Sequence, residues 1–307
     1  MRRPGAAAML RRMSDARRAR LQIVGAALLF STGGAAIKAT ALTSWEVAGL
    51  RSGIAALALL VALPAARRGF TPRALAVGVS YAATLVLFVA GNKLTTSAAT
   101  IFLQSTAPLY VLLAGPWLLG ERASRLDLMA MVPVAAGLVM VFLGAGSPGR
   151  TAPDPLRGNV LAALSGVAWA ATLMGLRWVG SGGAGAATPM GAVVLGNLLA
   201  FLACAPFFGS LAAAEPRDWL AVGYLGVFQI GAAYALLAAA VPRLRALEVS
   251  LLVLVEPALN PLWAWLVHGE SPGGWTAAGG ALILGATAAR SWIEARWKAA
   301  RGLTPEA

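Results

Sequence analysis

The stretch 253–270, VLVEPALNPLWAWLVHGE, decides the fold, because the chain contains a second version of it. That version, QSTAPLYVLLAGPWLLGE, occupies residues 104–121 and begins 149 residues earlier. Each stretch is an apolar run with an internal proline, Pro108 or Pro257, and each ends on an acid 13 residues after that proline. Repeated halves built around interrupted apolar helices are typical of a membrane transporter.

A second pair of matching segments lies upstream of each stretch. Residues 30–38 read FSTGGAAIK, and residues 169–177 read WAATLMGLR. In both, an aromatic residue is followed eight positions later by a cation. The repeat therefore covers most of each half of the chain.

Composition indicates an all-α polytopic membrane protein. The chain is 59% hydrophobic and only 12% charged, with a mean hydropathy of +0.73, whereas soluble domains carry about 25% charged residues. Most apolar runs exceed the roughly 18 residues that a membrane-spanning helix needs, and open sheet cannot satisfy its backbone in lipid. We predict ten transmembrane helices near 21–40, 46–65, 73–92, 97–119, 127–146, 158–178, 188–208, 218–240, 246–268 and 273–293.

The ten helices divide into two five-helix repeats. We place the first repeat at 21–146 and the second at 158–293, joined by the linker 147–157. Polar tails cover 1–20 and 294–307. Because five is odd, the second repeat enters the membrane from the opposite side, and such inverted repeats predict alternating access with the substrate near the midplane.

The net charge of +13 would suit a nucleic-acid binder, but its distribution indicates a membrane protein instead. If the N-terminus is cytoplasmic, nineteen Lys and Arg fall on the inner side and four on the outer side. This asymmetry predicts both termini in the cytoplasm. The arginine-rich N-terminus is also compatible with an organellar transit segment, but we expect it to anchor the topology and contact anionic lipid.

The stretch 225–285 resembles the second domain of EamA-type members of the drug/metabolite transporter superfamily. The resemblance depends on a helix with Tyr234, a short basic turn, the Glu256-Pro257 pair, Gly269-Glu270 and a glycine-rich last helix. It implies a secondary transporter similar to the ten-helix exporters of amino acids and metabolites, aromatic amino-acid exporters included. The substrate is small, and no nucleic-acid partner is expected.

Polar side chains inside the spans are the candidate substrate ligands, because a charge at membrane depth costs about 3 kcal/mol on insertion scales. Glu256 lies near the middle of its run and would bind a substrate ammonium or a proton. Its alternative role is that of a structural partner for Arg51 or Lys38. Asn260 and Gln104, each one turn from a proline or from Glu256, are predicted to line the cavity or to join helices.

Aromatic residues and one cation complete the predicted site. Tyr81, Phe88, Trp169 and Tyr234 would form walls around an apolar side chain or hold an ammonium by cation–π contact. Lys38 would meet a substrate carboxylate, or would snorkel to the interface.

Pro108 and Pro257 are predicted hinges, since each lacks a backbone N–H. The acids that close the two repeated stretches, Glu121 and Glu270, are expected to cap or pair at the surface.

The sequence contains one histidine and one cysteine, and we find no metal-ligand cluster, nucleophile–base set or cofactor motif. No cofactor and no metal are therefore predicted, and an enzyme is disfavoured. A membrane sensor is disfavoured too, because the loops are short. Export of drug-like cations and metabolite uptake remain open alternatives. The Ala/Arg/Gly bias points to a bacterial inner membrane, and we expect a monomer.

Overall fold

The computed structural model describes residues 6–118, 124–180, 188–209, 211–244 and 246–300. Within them, α-helices form nearly all of the regular structure, with one isolated β-bridge in the linker between Gly149 and Ala152. The α-helices are α1 Ala6–Ser31, α2 Gly33–Lys38, α3 Ser44–Ala62, α4 Pro72–Leu94, α5 Ser97–Gln104, α6 Ala107–Leu118, α7 Arg125–Leu143, α8 Pro155–Gly180, α9 Pro189–Cys204, α10 Pro216–Tyr224, α11 Ala233–Ala240, α12 Ala246–Val253, α13 Val255–His268 and α14 Gly274–Ala300.

In the described chain, nine helical stretches are long and apolar enough to cross a membrane. Helix α14 is a tenth long helix, but Arg290 and the charged residues after it lower its hydropathy. We number these ten elements as spans 1 to 10. Span 1 is α1 with α2, span 2 is α3, span 3 is α4, span 4 is α5 with α6, span 5 is α7, span 6 is α8, span 7 is α9, span 8 is α10 and α11 with the π-helix between them, span 9 is α12 with α13, and span 10 is α14.

The predicted tails are partly helical. Helix α1 begins at Ala6 and α14 continues to Ala300. Alanine and arginine have high helix propensity, so the helices extend beyond the apolar runs from which their ends were predicted.

The pattern of span–span contacts stays the same when each span is replaced by its counterpart five spans away. Span 3 packs against spans 6 and 7, just as span 8 packs against spans 1 and 2; span 4 packs against span 6 as span 9 packs against span 1. The pairs 2 with 7, 4 with 9, and 5 with 10 are symmetric in themselves. The two repeats are therefore related by a pseudo-two-fold axis, and their odd number of spans makes them inverted.

Spans 4 and 9 are interrupted at matching places. Helix α5 ends at Gln104 and α6 begins at Ala107, so that Pro108 is the second residue of the new helix. Helix α12 ends at Val253 and α13 begins at Val255, two residues before Pro257. A proline lacks the N–H that would donate to the carbonyl four residues earlier. The repeated proline therefore favours the repeated break, although Pro133 and Pro261 lie inside continuous helices.

Spans 1 and 8 are irregular, whereas spans 6 and 3, their counterparts, are continuous helices. Span 1 breaks at Thr32, just before Gly33 and Gly34. Span 8 contains a π-helix over Leu225–Ala232. Mid-helix π-segments often occur at functional sites.

Exposed apolar residues cover the outside of the bundle, as a lipid-facing surface requires. Leu57, Val61, Met129, Val132 and Leu220 are all more than half exposed. Tryptophans near helix ends are exposed as well, at positions suited to the membrane interface: Trp45, Trp117, Trp219, Trp275 and Trp292.

Candidate substrate site

Four aromatic side chains meet where the halves of the bundle face each other. Tyr81 of span 3 and Tyr234 of span 8 lie edge to face with ring centroids 5.9 Å apart. Trp169 of span 6 lies 6.3 Å from Tyr81, and Phe30 of span 1 lies 5.3 Å from Tyr234. We call these four residues the aromatic cluster. Tyr81, Trp169 and Tyr234 come together as the sequence suggested.

Phe30 was not among the predicted site residues, although the repeat contained the signal for it. Phe30 and Trp169 open the two matching segments FSTGGAAIK and WAATLMGLR. In the fold each contacts the tyrosine of the opposite repeat. The aromatic cluster is therefore arranged symmetrically about the pseudo-two-fold axis, which passes between the two tyrosines.

Phe88 does not join the aromatic cluster. It packs in a separate apolar core with Ile37, Val89, Ile101 and Phe102. Its distance along span 3 explains the difference, because Phe88 lies two turns beyond Tyr81 and faces the ends of spans 1 and 4.

Arg51 of span 2 lies beside the aromatic cluster. It is only 2% exposed, and its Nη2 donates to the carbonyl oxygen of Leu85 at 3.2 Å. It is in electrostatic range of Tyr81 and Tyr234. Within the described chain its Nε has no hydrogen-bond partner, whereas Tyr81 interacts through its hydroxyl with Tyr234 and Asn197. Sequence reasoning considered Arg51 only as a partner for Glu256.

Glu256 lies in the first turn of α13, directly after the break in span 9. Its side chain is partly accessible, and it is in electrostatic range of Tyr234. Among the described residues it forms no ion pair, so neither Arg51 nor Lys38 is its partner. The positive end of the helix dipole favours an anion at this position.

Lys38 lies at the outer end of the bundle, by which we mean the end opposite to both chain termini. Its Nζ is 3.1 Å from Oε2 of Glu270, and both side chains are at most 5% exposed. It also donates to the carbonyl oxygens of Thr95, at 2.8 Å, and of Thr151. The other Glu270 oxygen accepts from the Ser97 N–H at 2.5 Å. We call this group of residues the outer lock.

Glu270 forms a pair, as expected, but the expectation that it lies at the surface is wrong, because it is buried. An acid at the end of a span normally reaches water. Here the end of span 9 is covered by the ends of spans 1 and 4. Its counterpart Glu121, and with it Gly120, lies outside the described residues. Arg177, the counterpart of Lys38, is described and makes an interaction of its own.

Gln104 and Asn260 each contact a span of the opposite repeat. Gln104 Nε2 donates to the Ser165 hydroxyl of span 6 at 2.7 Å. Asn260 is buried against the backbone of span 1, where a Cβ added to Gly34 would lie 2.8 Å from its Oδ1. Glycine is thus needed at Gly34 for close approach of spans 1 and 9. The contact of Gln104 matches its helix-joining alternative, whereas Asn260 Oδ1 has no hydrogen-bond partner among the described residues.

Comparison with known proteins identifies the scaffold. The profile of the EamA-like transporter family matches residues 17–143 and again residues 156–291. The uncharacterized protein PA1977 of Pseudomonas aeruginosa is 32% identical over 250 residues, which cover 77% of this chain and 80% of that protein. One solved crystal structure superimposes with a TM-score of 0.61 at 23% identity, covering 90% of this chain and 98% of its own. That likeness concerns the fold alone.

Proposed function

We propose, from the premise that this chain belongs to the EamA-like transporter family, that it exports amino acids or similar small metabolites by alternating access. The membership itself makes the chain a multi-pass membrane transporter of the drug/metabolite superfamily. The observation that carries the substrate class is the aromatic cluster on the pseudo-two-fold axis, with the cation Arg51 and the acid Glu256 beside it. Aromatic faces, a cation and an acid suit a zwitterion with an apolar side chain.

The outer lock supports the proposal of alternating access. It joins span 1 of the first repeat to span 9 of the second, and Lys38 also binds the linker through the Thr151 carbonyl. A buried ion pair between the repeats closes the outer end. Release to the outside requires that this pair separate, which is the motion expected of inverted repeats.

A cavity of about 250 Å³ lies beside the outer lock. Its lining includes Thr95, Thr96, Asn159 and Thr276, and the Thr95 hydroxyl donates to Asn159 Oδ1 at 2.7 Å. Hydroxyl and amide groups of this kind can solvate a polar substrate without holding it by charge. We propose that the cavity is the exit route that opens when Lys38 and Glu270 separate.

A liposome screen tests the proposed function. Purified protein would be reconstituted, and uptake of labelled aromatic, aliphatic and charged amino acids would be compared with uptake of organic cations, with and without a pH gradient. We expect saturable counterflow of at least one neutral amino acid. Uptake of cations alone would reject the amino-acid proposal.

Export of drug-like cations is the second candidate. It is favoured by the accessible carboxylate of Glu256, which has no ion-pair partner in the described structure, next to aromatic faces. The same screen separates the two, because a cation exporter should transport organic cations and no neutral amino acid. Uptake instead of export would appear as accumulation driven by the same gradient in the opposite direction.

We also propose that the protein lies in the bacterial inner membrane with both termini cytoplasmic. The charge asymmetry supports this orientation. Reporter fusions after the last span should be active only in the cytoplasm. A C-terminal reporter that is active outside would reject the orientation.

A further inference from the structure

Arg51 is a buried cation that lacks an anion. It lies inside a membrane span, it is 2% exposed, and it forms no ion pair with any acidic side chain that the structure describes. One carbonyl oxygen, that of Leu85, accepts from it. Charged groups at membrane depth pair with one another or mark a substrate pathway, because the unpaired charge is costly. The pairing that this fold could have used, with Glu256, is not made.

The Arg51 guanidinium is also incompletely bonded. Its Nε is buried without a hydrogen-bond partner in the described structure. Buried polar atoms are nearly always hydrogen-bonded in proteins. An unpaired guanidinium N–H beside the aromatic cluster indicates that a ligand with an acceptor oxygen completes the bonding, since a guanidinium only donates.

We propose that Arg51 binds the carboxylate of the transported substrate. This proposal rests on the proposed function and specifies its ligand. A guanidinium presents paired donors that match the two oxygens of a carboxylate. Tyr81 would donate to the same group, the aromatic cluster would contact the side chain, and Glu256 would face the ammonium.

The proposal accounts for the presence of two opposite charges that do not pair with each other. Both Arg51 and Glu256 are in electrostatic range of Tyr234. If they were structural partners, the fold would bring them into contact and neutralise both. Because Arg51 and Glu256 lie apart on spans 2 and 9, each remains available to a charged group of a ligand.

The test compares three ligands of one shape on the purified full-length protein. L-Phenylalanine carries both charges, 2-phenylethylamine lacks the carboxylate, and 3-phenylpropionate lacks the ammonium. Ligand-induced thermal stabilisation and titration calorimetry would give the affinities. We expect removal of the carboxylate to weaken binding about tenfold or more, since charge-assisted hydrogen bonds are lost.

Substitution at Arg51 completes the test. In Arg51→Gln the preference for phenylalanine over phenylethylamine should disappear, while Arg51→Lys should keep part of it. Arg73→Gln is the matched control, because Arg73 is exposed at the start of span 3 and stacks on Trp178. It should keep the full preference.

Each outcome decides between the proposals. Equal binding of phenylalanine and phenylethylamine by the unaltered protein overturns the role of Arg51 while leaving amino-acid export standing, even if Arg51→Gln fails to fold. Binding of phenylpropionate but not phenylalanine, lost in Arg51→Gln, keeps the carboxylate site and rejects amino-acid export. If neither carboxylate ligand binds and the liposome screen finds only cations, both proposals fall.

Discussion

Two ion pairs join span 1 to span 9, one at each end of the bundle, and they differ in their surroundings. At the outer end Lys38 and Glu270 are at most 5% exposed. At the inner end, which carries both termini, Arg20 binds Glu248 with side chains 55% and 29% exposed. The same two helices are thus held by a buried pair on one side and by a hydrated pair on the other.

The difference identifies the end that is closed in this conformation. An exposed pair in high dielectric contributes roughly 0–1 kcal/mol and is screened by salt. Separation of a buried pair leaves uncompensated charge unless water enters with it. The outer end is therefore sealed in an all-or-none manner, whereas the inner contact can break at little cost. Glu256 lies between the two pairs in span 9 and pairs with neither cation.

The largest effect is expected at the outer lock. Lys38→Met leaves Glu270 buried without its cation and should destabilise the protein by about 3–5 kcal/mol. Transport should fall to background, because the outer end no longer closes. Thermal unfolding in detergent and counterflow in liposomes measure the two effects.

Two matched variants control that experiment. Lys38→Arg keeps the charge and should retain most of the stability. The exchange of Lys38→Glu with Glu270→Lys should recover part of what either single change loses, as expected of contacting residues. A stable and active Lys38→Met protein would show that the outer pair is not a lock.

The next largest effect is expected at Glu256. Glu256→Gln preserves the shape of the side chain and removes its charge, so expression and stability should be kept. Transport should fall about tenfold to a hundredfold, because a hydrogen bond to a charged group contributes roughly 1.5–3 kcal/mol. A variant that unfolds would instead assign Glu256 a structural role, and full activity would discard both roles.

Sequence alone predicted the membrane bundle and its inverted repeats because both depend on patterns along the chain. Hydropathy marks each span, and the repeated prolines mark the breaks in spans 4 and 9. Tyr81, Trp169 and Tyr234 could be grouped because aromatic residues inside spans are easily recognised. The same reasoning included Phe88, whose position along the helix sends it into another cluster.

What the sequence did not reveal depends on which span ends meet. Glu270 follows a glycine at a span end, a position that normally reaches water. It is buried only because it meets Lys38 and the Ser97 N–H, which come from two other spans. Similarly, the isolation of Arg51 from Glu256 depends on the relative placement of spans 2 and 9. Distances between spans are not encoded in any single run.

The breaks in spans 4 and 9 test whether the two ends exchange roles. In Pro108→Ala or Pro257→Ala the restored N–H can donate to the carbonyl four residues earlier, which would join the two helix segments. One hydrogen bond of about 1 kcal/mol should slow turnover about fivefold and change binding less. Because the repeats are inverted, the two variants should bias the protein toward opposite sides.

Cysteine-accessibility labelling of the two ends measures that bias, in a background in which Cys204→Ala removes the native thiol. The native cysteine is buried, so its removal should not disturb either end. If both proline variants expose the same end, the breaks do not act as symmetric hinges.

The smallest effect is expected at the inner pair. Arg20→Ala and Glu248→Ala should each change the free energy of unfolding by less than about 1 kcal/mol, since the pair is exposed and screened. Addition of salt should reduce even that difference, whereas the loss caused by Lys38→Met should persist in high salt because its partner is buried. Unfolding measured at low and high ionic strength distinguishes the two cases. Equal salt dependence at both pairs would mean that water reaches Glu270 as freely as Glu248, and the outer end would then be open.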